Sequence, residues 1–207
     1  IEGRDFWRAR YPREADLINQ EEMLATMAPV SEMVEELKAL EPVMDAFFDG
    51  LPDDYMIEFH CSAMISGIVV QVNWLFELVL HGEDVARAAG LPWEIRERDM
   101  LLLLREGVEL IPAWLRAGLS PAIDICVALE IPDARPYVMH IHDGIMETFA
   151  RRASDRPDAV LRAPASTMLR LFLHRIGPVA AMRQGLRIVG GRRPWTVIRL
   201  PSYIEGV

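Results

Sequence analysis

Glu77, His81 and Asp84 lie in the stretch "ELVLHGEDVARAAGLPW". On a helix these three fall at i, i+4 and i+7 and stack along one stripe. A carboxylate and an imidazole one turn apart can chelate a single divalent ion, and such donors suit zinc, iron or nickel. A catalytic zinc site normally has three protein ligands and an open position. The stripe therefore reads either as part of a metal site or as the wet edge of an ordinary helix.

Other chemistry-bearing residues are scattered. His60 and Cys61, in "EFHCS", could ligate a metal or form a nucleophile pair, but no orienting third group follows them in sequence. His140 and His142, in "HIH", place both rings on one face of a strand. His174 reads as structural or exposed. The run "MRQGLRIVGGRRPWTVIR" carries Arg183, Arg187, Arg192, Arg193 and Arg199, whose guanidinium forks suit a carboxylate. "IVGGRR" lacks the Lys-Ser/Thr of a phosphate loop.

The elements that must position these groups are legible from periodicity. Val30, Met33, Val34, Leu37, Leu40, Met44, Phe47 and Phe48 have helical spacing after Pro29, and "DGLPDD" ends that helix. A second helix is expected over about Ser62 to Ala89, with Gly90 as its C-cap. A third is expected over about Arg96 to Leu115, shortened near Pro112. Residues 1–26 give no clear pattern. Beyond Gly118–Pro121 the pattern changes to strands at "AIDICVALEI", "PYVMHIHDG", "GIMETFARR", "DAVLRAP" and "GLRIVGG". Asp143-Gly144 is a hairpin signal. "ASTMLRLFLHRIGPVAAMR" is helical and broken near Gly177-Pro178. The expected fold class is α+β, with a helical part over 1–118 and a smaller strand-containing part over 119–207.

Composition narrows the function classes. The 207 residues are 51% hydrophobic and 26% charged, which is globular. Residues 151–207 hold 11 Arg against three acids, a net of +8, which leaves −17 on residues 1–150 out of a total of −9. Such asymmetry fits an anionic ligand at the basic part, or two parts docked charge to charge. No nucleic-acid motif is present. The apolar run Ala63 to Leu80 contains Gln71, Asn73 and Glu77, so it reads as a core helix and not a membrane span. Two cysteines outside any CxxC motif and no visible signal peptide fit a reducing cytoplasm. Ile1 to Arg4 spell a protease-recognition sequence and no Met opens the chain, so its start reads as processed or truncated.

The segment "ELVLHGEDVARAAGLPWEI" resembles the H-G-x-D…G-x-P-W segment of the mycothiol-dependent maleylpyruvate isomerase-like family. "FHCSAMISGIVVQVNWLFELVLHG" resembles its lead into the last bundle helix, and "PDAVLRAPASTMLRLFLHRIGPVAAMRQGLRIVGG" its sterol-carrier-protein-like ending. The resemblance implies a DinB-like metal-binding helical bundle followed by a small sterol-carrier-like domain with a mainly antiparallel sheet. It also implies Glu77 and His81 as ligands of a divalent metal, zinc first, with Asp84 orienting His81 from behind. The cofactor would be a low-molecular-weight thiol such as mycothiol, and the reaction a thiol transfer or isomerisation of a small electrophilic, carboxylate-bearing substrate. The family's third ligand, a histidine on an earlier helix, has no counterpart here. The chain thus reads as a member without the first two bundle helices, with an apolar face open to self-association or a partner. Two other classes compete: a lipid or small-ligand binder, and an assembly protein with a vestigial metal site.

Overall fold

The computed structural model describes residues 9, 12–52, 54–59 and 63–205. Two helices open it, α1 (Pro12–Ala25) and α2 (Val30–Asp49). A short antiparallel hairpin follows, β1 (Met56–Glu58) with β2 (Met64–Ser66). The long helix α3 (Gly67–Ala88) comes next, then α4 (Glu97–Gly107) and a 3-10 turn at Ile111–Trp114. Strands β3 (Ile125–Glu130), β4 (Tyr137–His142), β5 (Ile145–Ala150) and β6 (Ala159–Arg162) lead into α5 (Ala165–Phe172) and α6 (Pro178–Arg183). β7 (Arg187–Gly190) and a 3-10 segment, Pro194–Ser202, complete the described chain.

The five strands β3 to β7 form one sheet in the order β5-β4-β3-β6-β7. β3 and β6 run parallel, and the other three pairings are antiparallel. The class is α+β. Asp143 and Gly144, with φ of 51° and 78°, make the tight turn between β4 and β5. Positive φ at both central residues gives that turn the twist a hairpin needs.

Alternation along the strands sets two faces. Val127, Leu129, Met139, Ile141 and Leu161 turn to the helices, where Met100, Leu103, Leu104 and Met168 meet them. Val72 and Leu80 of α3 belong to the same continuous core. Ala128, Val138 and Val160 form a small cluster on the other face. Helix α3 ends as its sequence suggests: Ala89 is the last right-handed residue, Gly90 takes φ 67°, and the Leu91 N–H donates to the Ala86 carbonyl at 2.8 Å. A left-handed residue just past the helix turns the chain and satisfies a terminal carbonyl.

Three expectations are corrected. Residues 12–25, which show no clear periodicity, are helix α1. Helix α3 starts at Gly67 rather than Ser62, because Met64–Ser66 pairs with β1 and points Ile65 into a cluster with Val69 and Leu110. Helix α4 stops at Gly107, and Pro112 sits in the 3-10 turn that buries Ile111. No helix among the described residues is long and apolar enough to cross a membrane.

Candidate functional site

The helical repeat of α3 brings Glu77, His81 and Asp84 together as expected. Glu77 Oε2 lies 3.1 Å from His81 Nε2, and Asp84 Oδ2 lies 3.5 Å from His81 Nδ1. Both ring nitrogens of His81 thus face a carboxylate. Burial pushes the Glu77 carboxyl above its usual range, and the neighbouring His81 only partly offsets this. Glu77 and His81 border a pocket of about 140 Å³ with a mixed lining, apolar over the larger part. Asp16 and Asn19 enter it from α1, Asn73 from α3, and Arg175 from the turn after α5. Asp16, Asn19 and Arg175 escape sequence reasoning: α1 carries no clear periodicity, and Arg175 is one arginine among eleven in residues 151–207.

Asp84 does more than stand behind His81. Arg175 grips its carboxylate with two hydrogen bonds, from Nη1 at 2.8 Å to Oδ1 and from Nη2 at 2.6 Å to Oδ2. Arg87 adds a third at 2.7 Å. The Arg175 hydrogen bonds hold the Asp84 carboxyl below the usual carboxylate range. Next to it, Glu83 accepts from Arg170 at 2.5 Å. The basic C-terminal part is therefore joined to the acidic helix α3 by a cluster of ion pairs, and charge docking accounts for part of the asymmetry seen in the sequence.

A metal needs more than the stripe offers. Glu77 and His81 supply two donors, while Asp84 is committed to two guanidinium groups. Among the described residues no group of three or more His, Cys, Asp or Glu side chains is placed to hold a metal ion. The described residues do not complete a metal site. His60 and Cys61 lie outside the described residues.

The "HG" and "PW" of the motif have a packing role. A Cβ on Gly82 would stand 2.5 Å from the Trp93 ring, so only glycine leaves the indole its seat. The Trp93 indole N–H donates to the Val79 carbonyl at 3.1 Å and ties the loop back onto α3.

The remaining candidates resolve separately. His140 and His142 share a face of β4, with ring centroids 4.4 Å apart. His140 meets Asp124 at 2.9 Å, and His142 meets Asp143 and Glu147 at 3.0 Å each. Those two carboxylates, Asp143 foremost, raise the His142 pKa. Cys126 is half-buried, and burial together with the Asp158 charge pushes its thiol up, which disfavours the nucleophilic thiolate. Arg192 and Arg193 are held by the fully buried Asp158.

His174 and Arg187 are different. They line a cavity of about 450 Å³ bounded by β6, α5, α6, β7 and the final 3-10 segment. All its other lining residues are apolar, among them Leu161, Phe172, Met182, Ile188, Val197 and Leu200.

No protein-family model matches the chain, and no curated protein matches it. Among solved structures, the stereoselective inverting sec-alkylsulfatase Pisa1 from Pseudomonas sp. is similar over 50% of this chain, at 10% identity and a TM-score of 0.43. The likeness spans 16% of that protein's length. A conserved hypothetical protein from Thermus thermophilus, named as a candidate sterol carrier protein, is similar over 40% of this chain and 62% of its own, at 20% identity and a TM-score of 0.29. Likenesses at this level carry no argument about activity. The resemblance to the mycothiol-dependent isomerases rests on the sequence motifs.

Proposed function

We propose that the chain binds a small apolar ligand with an acidic head group in the cavity between β6, α5, α6, β7 and the final 3-10 segment. The observation behind this reading is the cavity itself, about 450 Å³ and apolar except for His174 and Arg187. Its size falls within the range of small-molecule sites, roughly 300–1,000 Å³. A ligand chain that displaces water from such walls gains about 25 cal/mol for each Å² of apolar surface it buries. Arg187 supports the acidic head. Its Nη1 donates to the Met182 carbonyl at 2.6 Å and the Leu186 carbonyl at 2.8 Å, which fixes the guanidinium. Among the described residues it has no carboxylate partner, so an incoming carboxylate can take its remaining N–H groups in a charge-assisted pair.

Calorimetric titration with dodecanoate and dodecanol tests this. Both should bind. Arg187→Gln should weaken dodecanoate by about tenfold, the loss of one charge-assisted contact, and leave dodecanol unchanged. Ile188→Trp, which narrows the cavity, should weaken both. No binding of either ligand at millimolar concentration would sink the reading.

A second reading is metal-dependent transfer of a low-molecular-weight thiol to a small electrophile. The close approach of Glu77 to His81 beside a pocket that Asp16, Asn19, Asn73 and Arg175 also enter favours it. Glu77 and His81 would be the metal's ligands, zinc first, with Asp84 behind His81 and a mycothiol-type thiol as co-substrate. The division into a helical part, 1–118, and a sterol-carrier-like part, 119–207, belongs to this reading, as does a cytoplasmic location. Metal content by plasma mass spectrometry separates the two. About one ion per chain, lost in His81→Ala, is the expected result if Glu77 and His81 are the ligands. No ion in either protein would discard the metal reading and leave the cavity reading untouched.

A further inference from the structure

Helix α2 buries none of its 20 residues. Its apolar side chains nevertheless follow a strict pattern. Val30, Met33, Leu37, Leu40, Met44 and Phe47 are spaced 3, 4, 3, 4 and 3 apart, the a and d positions of nearly three heptads. Five of the six are exposed, from 38% at Leu40 to 74% at Val30, and Met44 is half-buried. Pro42 falls on the side of the helix away from this seam, so the Lys38 carbonyl that it leaves without a helical N–H partner also lies off the seam.

We infer that α2 is a dimerisation helix that pairs antiparallel with α2 of a second copy of this chain. Three observations select that occupant. First, an antiparallel pair centred between Lys38 and Ala39 places all six seam residues in complete layers. Val30 then meets the partner's Phe47, Met33 the partner's Met44, and Leu37 the partner's Leu40, each layer occurring twice by symmetry. A two-fold pairing of one patch with itself is closed and stops at the dimer.

Second, charge selects the orientation. The helix carries six carboxylates and one lysine. Glu32, Glu35, Lys38, Asp45 and Asp49 lie off the seam, and Lys38 is paired within the helix to Glu35 at 2.8 Å. Only Glu36 and Glu41 flank it. A parallel pair sets Glu36 against the partner's Glu41 on both sides, a like-charge clash. The antiparallel pair sets Glu36 beside the partner's Val43 and Glu41 beside the partner's Val34. The same acidity disfavours an anionic lipid surface as the occupant.

Third, the area is sufficient. The seam with Val34 and Val43 exposes on the order of 600 Å² per chain, so two copies would bury about 1,200 Å², the lower edge of specific interfaces.

Sedimentation velocity of the 207-residue chain over micromolar concentrations is the test. The expected mass is twice 23.5 kDa. Leu37→Glu, at the centre of the seam, should raise the dissociation constant by at least about a hundredfold, and Glu35→Gln, off the seam, should leave it unchanged. Glu36→Lys should also leave it unchanged. A tighter dimer in Glu36→Lys would mean a parallel pair and overturn the assigned orientation. A 23.5 kDa species throughout, or a dimer that Leu37→Glu does not weaken, would overturn the interface. Hydrogen exchange needs no variant: amides of Val30–Asp49 should exchange more slowly as chain concentration rises, and concentration-independent exchange would also overturn it.

Discussion

Asp158 is the point where one substitution should disturb both the fold and the cavity. Its side chain is fully buried at the start of β6. It accepts four hydrogen bonds: from the Cys126 N–H at 3.1 Å, from Arg192 Nη2 at 3.0 Å, and from Arg193 Nε and Nη2 at 2.9 Å each. Asp158→Asn keeps the shape but turns one acceptor into a donor facing a guanidinium. At best two of the four contacts survive. Two charge-assisted hydrogen bonds contribute about 1.5–3 kcal/mol each. Arg192 and Arg193 are 60% and 48% exposed, so water recovers part of this when they are released. The net expectation is a loss of about 2–3 kcal/mol, or roughly 5–10 °C in Tm for a chain of this size.

The sign of the pH dependence follows from the carboxyl. Burial alone would raise its pKa, but the bonds from Arg193 and the Cys126 N–H outweigh burial and hold it below the usual range. A depressed folded-state pKa stabilises above the unfolded value of about 3.9 and is lost as pH falls through the folded value. Thermal unfolding followed by circular dichroism should therefore show a constant gap between the two proteins above about pH 5 and a narrowing gap below about pH 4. A gap that is absent at pH 7, or that widens in acid, would refute this account. Arg192 and Arg193 lie between β7 and the final 3-10 segment, which both wall the cavity, so Asp158→Asn should also weaken dodecanoate binding. Gly191 shows how closely this corner is packed: at φ 120° a Cβ there would overlap the Asp158 carbonyl oxygen.

Arg175→Ala should cost about 1–2 kcal/mol, since two short bonds to Asp84 are lost while Asp84 keeps Arg87 and a third of its surface in water; denaturant unfolding measures it, and because Arg175 holds the Asp84 carboxyl below the usual range the loss should persist through the ordinary carboxylate range and shrink only as Asp84 itself protonates in stronger acid, whereas a loss that never shrinks with falling pH would assign the role to packing instead of charge. Gly82→Ala should displace the Trp93 indole, break its bond to the Val79 carbonyl and cost about 1 kcal/mol, the worth of one hydrogen bond, because the half-exposed ring can swing aside. Its near-ultraviolet circular dichroism should change and acrylamide should quench its fluorescence more readily, whereas unchanged spectra would contradict the packing of Trp93 on Gly82.

Contacts between near neighbours in the chain were legible without coordinates. The helical spacing of α2, the Asp143-Gly144 hairpin, the left-handed turn at Gly90 and the stacking of Glu77 on His81 each depend on residues a few positions apart, where backbone geometry fixes the spacing. The α+β class followed from the change of hydrophobic period near Gly118, although Met64–Ser66 reads as helix in an apolar run and joins a hairpin only because a partner strand lies beside it. Tertiary structure decided the rest. Arg175 reaches Asp84 across 91 positions, and Arg193 reaches Asp158 across 35. Nothing in composition distinguishes those arginines from the others of the C-terminal part, because ion-pair choice depends on which side chains packing brings within about 3 Å. Asp16 and Asn19 line the pocket beside Glu77 and His81 for the same reason, and the 450 Å³ cavity exists only because four elements and a 3-10 segment leave space between them. The amino-acid order specified the helix that carries Glu77 and His81; the packing of distant segments decided that Asp84 serves two arginines and that an apolar cavity opens beside Arg187.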